Sequence, residues 1–265
     1  MIELRNVTKY YPIQSGVRYI LRDVTLEIPG TNNLAVLGPN GAGKSTFLRL
    51  IAGTEIVNRG RIWSNTSISW PLGIGSGFQA ALTGRQNVMF ACRINGLSRS
   101  QTKQVIDEVM DFAELREYFD QPLSTYSSGM RARLSFGLSM AFEFEVYLID
   151  ELTSVGDAIF RAKAKQAFAD LRSRASIIFV SHNLQTLRES CNSALFLHDG
   201  TAAYFDDIEG GIKAYETYIL DNRIEHAAEV DALDRAERQA RRKLRLERQS
   251  ARNSEPPSDP PVPST

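Results

Sequence analysis

The first part of the chain alternates between apolar and polar residues and then becomes wholly apolar. Residues 1–7 and 18–28 alternate with a period of two, which is typical of half-exposed β-strands. Pro29 and Gly30 form a turn signal, and residues 33–37 are an apolar run suited to a buried strand. We therefore predict an antiparallel pair of strands that packs against a core sheet.

Helical signals dominate the middle of the chain. Thr83 with Gln86, and Ser98 with Gln101, fit the capping-box pattern, in which a hydroxyl residue precedes a Gln by three positions. We predict a helical insertion over about residues 83–144, preceded by short strands at residues 60–63 and 67–70. The glycine-rich residues 73–77 lack a lysine and a following amphipathic helix, so we interpret them as a connector and not as a second phosphate-binding loop.

Strands and helices alternate again in the last part of the domain. The pattern predicts strands at residues 146–149, 176–180, 194–197 and 202–205 and helices at residues 158–174, 184–189 and 211–220. These elements indicate an α/β fold with a mixed sheet core, an antiparallel β subdomain and a helical subdomain. We expect this domain to cover residues 1–221.

The composition changes beyond residue 221. The whole chain has 31 basic and 31 acidic residues, but arginines outnumber acids between residues 235 and 252. We predict a charged helical tail over residues 222–252 and a disordered, Pro-rich tail over residues 253–265. We favour a solvated helix of mixed charge for the first tail, and contact of its arginines with anionic lipid is the alternative.

Composition excludes several classes of protein. The 265 residues, 43% of them hydrophobic, suffice for one sizeable α/β domain. No apolar run approaches the ~20 residues needed to cross a bilayer, and a signal-peptide pattern is absent, so we expect a soluble or peripheral protein. Cys92 and Cys191 are too few for a disulfide framework and fit a reducing cytoplasm. His182, His198 and His226 lack metal-ligand spacing, which argues against a structural zinc site.

A glycine-rich loop carries the strongest chemical signal. Residues 38–45 read GxxxxGKS between the buried strand and an apolar-rich helix at residues 47–52. The glycines allow a tight turn that directs backbone N–H groups toward an anion at the start of the helix. Lys44 would reach the outer phosphates of a nucleotide, and the Ser45 hydroxyl would ligate Mg²⁺. The predicted nucleotide-binding residues of this loop are Gly38, Pro39, Asn40, Gly41, Ala42, Gly43, Lys44, Ser45 and Thr46.

Hydrolysis of a nucleotide also needs a carboxylate near the metal and a group that orients water. Asp150 and Glu151 follow the predicted strand at residues 146–149, and we assign Asp150 to the metal shell and Glu151 to polarising water. His182 follows the next strand, and we predict that it contacts the γ-phosphate, because parallel strands present their carboxyl ends to one crevice. Gln79 precedes the helical insertion, where we predict that it contacts both nucleotide and metal.

A second candidate anion site opens a later helix. Ser127, Ser128 and Gly129 combine hydroxyls with a glycine at the start of a helical pattern, too far along the chain to share the phosphates of the first loop. An ordinary N-cap is the simpler interpretation. The alternative is that these residues contact ATP held by another copy of the protein.

Together these motifs resemble those of the nucleotide-binding subunit of an ABC transporter, over about residues 2–220. The match comprises a Walker A loop at residues 38–45, the Q-loop Gln79, a signature at residues 127–130, the Walker B pair Asp150 and Glu151, a D-loop at residues 155–157 and the H-loop His182. Tyr11 matches the aromatic residue that stacks on adenine in this family. The resemblance implies an ABC-type P-loop NTPase fold, ATP and Mg²⁺ as ligands, and a dimer in which each ATP lies between the two chains.

Further stretches resemble the ATP-binding proteins that export capsular polysaccharide, which are close kin of the O-antigen exporters. These stretches are residues 68–73, 77–79, 82–88, 125–130 and 137–144. Ser128 and Met130 depart from the general LSGGQ signature but agree with this subfamily. The resemblance implies an ATPase at the cytoplasmic face of the inner membrane, peripheral through an integral membrane permease.

The resemblance also implies the cargo and the partners. It indicates a lipid-linked polysaccharide as the transported substrate, periplasm-spanning export proteins reached through the permease, and no nucleic acid. An exporter ATPase for O-antigen or teichoic acid is the nearest alternative. A soluble ABC-type ATPase acting on ribosomes or DNA is a more distant one, because such proteins usually join two ATP domains or carry long coiled coils.

Overall fold

A computed structural model of the chain describes residues 1–14, 16–72, 78–150 and 157–222. In this part of the chain the strands are β1 (Ile2–Ile13), β2 (Gly16–Ile28), β3 (Leu34–Leu37), β4 (Arg59–Ser64), β5 (Val146–Asp150), β6 (Ser176–Val180), β7 (Ser193–His198) and β8 (Thr201–Phe205). The helices are α1 (Lys44–Ile51), α2 (Gly84–Ile94), α3 (Arg99–Ala113), a 3₁₀ turn (Leu123–Thr125), α4 (Ser128–Met140), α5 (Ala158–Arg172) and α6 (Leu184–Ser190). Residues 208–222 are also helical.

The strands form two sheets. One has three antiparallel strands in the order β2-β1-β4, and the other has five strands in the order β5-β6-β3-β7-β8. The pairs within β5-β6-β3-β7 are parallel, and β8 is antiparallel to β7. The mixed core sheet and the separate antiparallel sheet predicted from the alternation are both confirmed.

Strand β3 lies at the centre of the core sheet, and its sequence accounts for that position. All four of its residues are buried, as expected for a strand covered on both faces by other elements. Its residues Leu34 and Val36 belong to a hydrophobic cluster that includes Phe47 of α1 and buried residues of β1 and β2. The antiparallel sheet, the core sheet and α1 therefore share one core, and the loop between β3 and α1 is held from both ends.

The helices between β4 and β5 have their own apolar cluster. Side chains of α2, α3 and α4 pack together there, with Val88, Val109, Phe119 and Leu134 fully buried. Both predicted capping boxes are present, because the Thr83 and Ser98 hydroxyls accept from the backbone N–H three residues later. These caps satisfy amide groups that the first turn of a helix leaves without partners, and they set where α2 and α3 begin.

The predicted strand at residues 67–70 differs in the structure. Only isolated parallel bridges form there, between Ile68 and Val146 and between Leu72 and Ile149. The Leu148 N–H donates to the Ser69 hydroxyl at 2.9 Å. In a continuous strand this N–H would donate to a backbone carbonyl of the neighbouring strand. The segment therefore lies along β5 without becoming a regular strand.

Contacts divide the chain into two units, residues 1–215 and residues 216–265. In the second unit the structure describes residues 216–222, where the Asn222 side chain donates to the Tyr218 carbonyl. The predicted connector at residues 73–77, Glu151 and the predicted tails beyond residue 222 lie outside the described residues, and the domain boundary at residue 221 stays a prediction. No helix in the described ranges has the length and apolar character to span a bilayer.

Candidate nucleotide site

The candidate site lies at the carboxyl edge of three neighbouring parallel strands. Strands β5, β6 and β3 are adjacent in that order, so their carboxyl ends meet at one edge of the sheet. Asp150 at the end of β5 pairs in register with Val180 at the end of β6, two residues before His182. Strand β3 ends at Leu37, directly before the glycine-rich loop. The fold thus brings together three sequence motifs that are far apart along the chain.

Two glycines of the loop occupy conformations that a side chain would disturb. Gly38 has φ +152°, and a Cβ there would lie 2.4 Å from the Leu197 carbonyl oxygen. Gly43 has φ +99°, and a Cβ there would lie 2.3 Å from Cγ2 of Ile20. The left-handed backbone and the close neighbours both require glycine, so the loop keeps a tight turn against β7 and β2.

Helix α1 begins directly at the loop and presents its amino-terminal end to the site. Its N-cap residue, Gly43, has no side chain that could accept from the first-turn amides. These N–H groups and the helix dipole favour an anion at this position. The Lys44 ammonium donates to the carbonyls of Gly38 at 2.7 Å and Pro39 at 3.1 Å, and therefore lies across the loop.

Most of the predicted site residues line one open cavity of about 500 Å³. Its lining includes an aromatic ring, the phosphate loop, a carboxylate and an imidazole. The lining residues are Tyr11, Ile13, Arg18, Ile20, Asn40, Gly41, Gly43, Lys44, Ser45, Thr46, Asp150, Val180 and His182. Gly38, Pro39 and Ala42 belong to the same loop without lining the cavity.

Gln79 and residues 127–129 are predicted site residues that do not line this cavity. Gln79 is exposed and absent from the cavity lining. Its backbone is held by the buried Asn87, whose Oδ1 accepts from the Gln79 N–H at 2.8 Å and whose Nδ2 donates to the Gln79 carbonyl at 3.2 Å. The chain at Gln79 is thus tied to the first turns of α2, the first helix of the helical insertion.

The signature residues form the exposed amino-terminal end of α4. The Ser127 hydroxyl accepts from the Met130 N–H at 3.2 Å, so Ser127 is the N-cap of α4. Ser127 and Ser128 are exposed, and a Cβ at Gly129 would meet only the Ser127 hydroxyl, at 3.9 Å. The backbone at Gly129 is therefore open to approach, and none of these residues lines the cavity of its own chain.

Asp157, the last residue of the predicted D-loop, connects α4 to the next helix, and residues 155 and 156 of that loop lie outside the described residues. Asp157 Oδ1 accepts from the N–H groups of Ile159 at 3.1 Å and Phe160 at 2.9 Å and so caps α5. The hydrogen bond from the Phe160 N–H is the largest cause of a lowered pKa for this carboxyl. Its other oxygen pairs with Arg133 of α4. The D-loop therefore ends on a residue that joins α4 to α5.

Sequence reasoning missed Arg18 as a site residue. It lies directly opposite Tyr11 in the antiparallel register of β1 and β2, and its Nη2 donates to the Gly41 carbonyl. The alternation of the two strands was visible in the sequence. Pairing them as a hairpin would have placed Arg18 beside the adenine-stacking candidate, Tyr11.

A partly buried ionic cluster behind Tyr11 was also missed. The Lys9 ammonium lies 4.8 Å from the centre of the Tyr11 ring and 2.8 Å from Oε1 of Glu55. Arg49 of α1 contacts the other Glu55 oxygen at 3.1 Å and donates to the Thr46 hydroxyl at 3.1 Å. The hydrogen bond from Lys9 is the largest cause that lowers the pKa of Glu55 to about 2, and Tyr11 and Arg49 lower it further. No sequence pattern signals this cluster, since its members come from three separate segments.

The donor set of the cavity fits a nucleotide with a divalent cation. The glycine backbone, the start of α1 and Lys44 supply positive groups for phosphates, and Tyr11 supplies an aromatic face. The Ser45 hydroxyl and the Asp150 carboxylate supply the hard oxygen ligands that Mg²⁺ prefers. Within the described ranges no group of three or more His, Cys, Asp or Glu side chains could hold a metal ion. Ser45 and Asp150 would hold a Mg²⁺ here together with phosphate oxygens and water, and Gln79 stays the third predicted protein ligand.

Comparisons with known proteins agree with this geometry. The family model described as ABC transporter matches residues 21–154. The chain is 45% identical over 219 residues to the polysialic acid transport ATP-binding protein KpsT of Escherichia coli. This alignment covers 82% of the chain and 97% of KpsT. It is 42% identical to the capsule polysaccharide export ATP-binding protein CtrD of Neisseria meningitidis serogroup B, over 82% of this chain and 98% of that protein. A dimeric ATP-binding cassette solved in a post-hydrolysis state with ADP and Pi superposes with a TM-score of 0.65 at 21% identity, over 78% of this chain and 99% of that one.

Proposed function

This chain belongs to the ABC transporter family, and we propose that it is the ATP-hydrolysing subunit that powers export of capsular polysaccharide, or of a related lipid-linked glycan, across the inner membrane. The observation that carries the proposal is the single cavity that joins Tyr11, the phosphate loop, Asp150 and His182. The identities to the two capsule-type relatives support the class of cargo.

The roles of the cavity residues follow from their chemistry. Tyr11 stacks on adenine, and the loop amides with Lys44 bind the phosphates. Ser45 and Asp150 hold Mg²⁺, which neutralises charge on the phosphate oxygens when bound. His182 contacts the γ-phosphate from the neighbouring strand end. Each group lies at the carboxyl edge of the sheet or on the hairpin that faces it.

Two further roles belong to residues outside this lining. Glu151, which follows Asp150 in the chain, orients and polarises the attacking water. Gln79 contacts the metal and the nucleotide once the helical insertion turns toward the core. The exposed position of Gln79 and its backbone tie to Asn87 support a link between that insertion and the nucleotide.

A second copy of the chain completes each nucleotide site. Ser127 and Ser128 are exposed, the backbone at the half-buried Gly129 is open to approach, and all three residues lie outside the cavity of their own chain. We propose that they bind the ATP held by the other copy, so that ATP closes the dimer and hydrolysis reopens it. The structural neighbour described above is itself dimeric, which supports this arrangement.

The other proposed partner is an integral membrane permease, which holds the dimer at the cytoplasmic face of the inner membrane. The helical insertion passes the motion of the dimer to that permease, and periplasm-spanning export proteins are reached through it. The names of the two relatives, which state transport for KpsT and export for CtrD, support this placement.

The Glu151→Gln variant tests the proposed function. It should bind ATP and accumulate as a closed dimer, while hydrolysis falls by ~10²-fold or more, as expected when a group that orients water is removed. Lys44→Ala is the matched control, because it should lose ATP binding and show no ATP-dependent dimer. Near-normal turnover in the Glu151 variant, or wild-type turnover per chain that is independent of protein concentration, would contradict the proposal.

The cargo needs a separate experiment. Co-purification of the permease with its bound glycan identifies the polymer directly. A capsular polysaccharide supports the proposal, whereas recovery of O-antigen or teichoic acid favours the alternative cargo and leaves the ATPase assignment intact.

A further inference from the structure

Arg18 combines three features that together mark a ligand contact. It lines the cavity that also contains Lys44, Ser45 and Asp150. It is exposed, and its strand position directly opposite Tyr11 fixes it beside the candidate adenine-stacking ring. Its guanidinium reaches the tip of the phosphate loop, where Nη2 donates to the Gly41 carbonyl.

The contact with Gly41 places the positive charge at the loop itself. Gly41 has φ +81°, and a Cβ there would lie 2.5 Å from Arg18 Nη2, so the guanidinium lies directly against the loop backbone. A guanidinium carries five N–H donors in a planar fork, and a single carbonyl uses only part of that capacity. The fork can therefore remain on the Gly41 carbonyl and donate to a phosphate oxygen as well.

Electrostatics favour an anion as the second partner. In the described part of the chain no carboxylate forms an ion pair with Arg18, whereas Arg49 and Arg133 pair with Glu55 and Asp157. A hydrogen bond from a guanidinium to phosphate is charge-assisted, and bonds of this class are about twice as strong as bonds between two neutral groups. Arg18 is thus a permanent cation at the mouth of a cavity already built for phosphate.

We propose that Arg18 is a further nucleotide-binding residue, whose guanidinium binds the polyphosphate of ATP while it holds the tip of the phosphate loop to the β1–β2 hairpin. This role rests on the proposed function, since it requires that the cavity bind ATP. It also gives the hairpin two separate contacts with one nucleotide, Tyr11 on the base and Arg18 on the phosphates.

The test compares the full-length wild-type chain with Arg18→Gln, Arg18→Lys and Arg22→Gln. Arg22 is the matched control, because it is an exposed arginine of the same strand that stacks over Tyr19 at 5.0 Å and does not line the cavity. Dissociation constants are measured for ATP and for inorganic tripolyphosphate, which has no base. Urea unfolding of each variant reports whether the hairpin and the loop remain folded.

We expect Arg18→Gln to weaken both ATP and tripolyphosphate by about tenfold, with KM raised and kcat nearly unchanged. Arg18→Lys should recover part of the affinity, Arg22→Gln should match the wild type, and the salt dependence of binding should become shallower only in Arg18→Gln. Weaker ATP binding with unchanged tripolyphosphate binding overturns the phosphate contact, as does an equal effect of Arg22→Gln. Loss of affinity in proportion to lost stability assigns Arg18 a purely structural role and also overturns the proposal.

The wild-type measurement separates this inference from the proposed function. A wild-type chain that fails to bind ATP overturns both. A wild-type chain that binds ATP as tightly as Arg18→Gln does overturns the role of Arg18 alone.

Discussion

Replacing Glu55 by Gln removes the negative charge that neutralises a buried lysine behind Tyr11. The Lys9 side chain is only 9% exposed, and its ammonium contacts Glu55 Oε1 at 2.8 Å and the Ile56 carbonyl at 2.9 Å. Gln has nearly the same shape as Glu and keeps one oxygen that accepts a hydrogen bond, so the variant tests the effect of the negative charge alone. We expect a clear loss of folding stability, because a buried ammonium without a counter-charge is costly.

The pKa of Glu55 sets the size of this effect. The fall in the Glu55 pKa from 4.5 to about 2 corresponds to about 3.5 kcal/mol at about 1.4 kcal/mol per pKa unit. The Glu55 side chain is 21% exposed and that of Arg49 is 32% exposed, so solvent screens part of the interaction. We therefore expect Glu55→Gln to lower the free energy of unfolding by about 1–3 kcal/mol at pH 7.

Urea unfolding, monitored by circular dichroism, measures the free energy of unfolding of the wild type and of Glu55→Gln, and Glu209→Gln is the control. Glu209 pairs with Arg188 at 3.0 Å, but its side chain is 63% exposed, so its loss should cost under about 0.5 kcal/mol. Equal losses in the two variants would refute the reasoning. ATP affinity should also fall in Glu55→Gln, because Lys9 and Arg49 connect Tyr11 with Thr46.

The pH dependence provides a second check on the same cluster. A carboxyl whose pKa is lower in the folded state stabilises the fold above its unfolded pKa, and that stability is lost as pH falls toward the folded value. For Glu55 the window runs from about 4.5 down to about 2, and about a quarter of the contribution should be lost by pH 4. The difference between wild type and Glu55→Gln should therefore shrink on acidification, and a difference that grows would contradict the assignment.

Three further predictions concern the loop, the signature helix and the thiols. Gly43→Ala should lower ATP affinity more than tenfold in a binding titration. The reason is that Gly43 has φ +99° and a Cβ there would lie 2.3 Å from Ile20 Cγ2. Unchanged affinity would show that the loop tolerates a side chain. Ser127→Ala should cost about 1 kcal/mol in urea unfolding through loss of the α4 cap. Ser127→Asp should keep that stability yet lower ATPase activity by repelling the partner's ATP, and full activity would argue against the contact between copies. Burial raises the thiol pKa of Cys92 and raises that of Cys191 to about 12. At pH 8 both thiols should therefore react with a disulfide reagent at least about tenfold more slowly in the native chain than in urea. Equal rates in the two states would exclude this protection.

Local patterns were sufficient for most of the elements and for most of the residues that line the cavity. The phosphate loop was recognisable because its glycines, Lys44 and Ser45 are contiguous and lie between a buried strand and a helix. The caps at Thr83 and Ser98 were recognisable because the partner amide is only three residues away. Interactions of this range depend on neighbouring residues alone, so the amino-acid sequence by itself determined them.

The tertiary structure decided which of these pieces meet. The strand order β5-β6-β3 brings Asp150, His182 and the loop to one edge, and that order depends on long-range pairing that periodicity does not encode. Residues 67–70 alternate like a strand, yet the Ser69 hydroxyl takes an amide of β5 and the segment forms only isolated bridges. Lys9 and Arg18 looked like ordinary polar positions of alternating strands. The tertiary structure makes Lys9 a buried cation through its contact with Glu55, and it places Arg18 against Gly41 at the mouth of the nucleotide cavity.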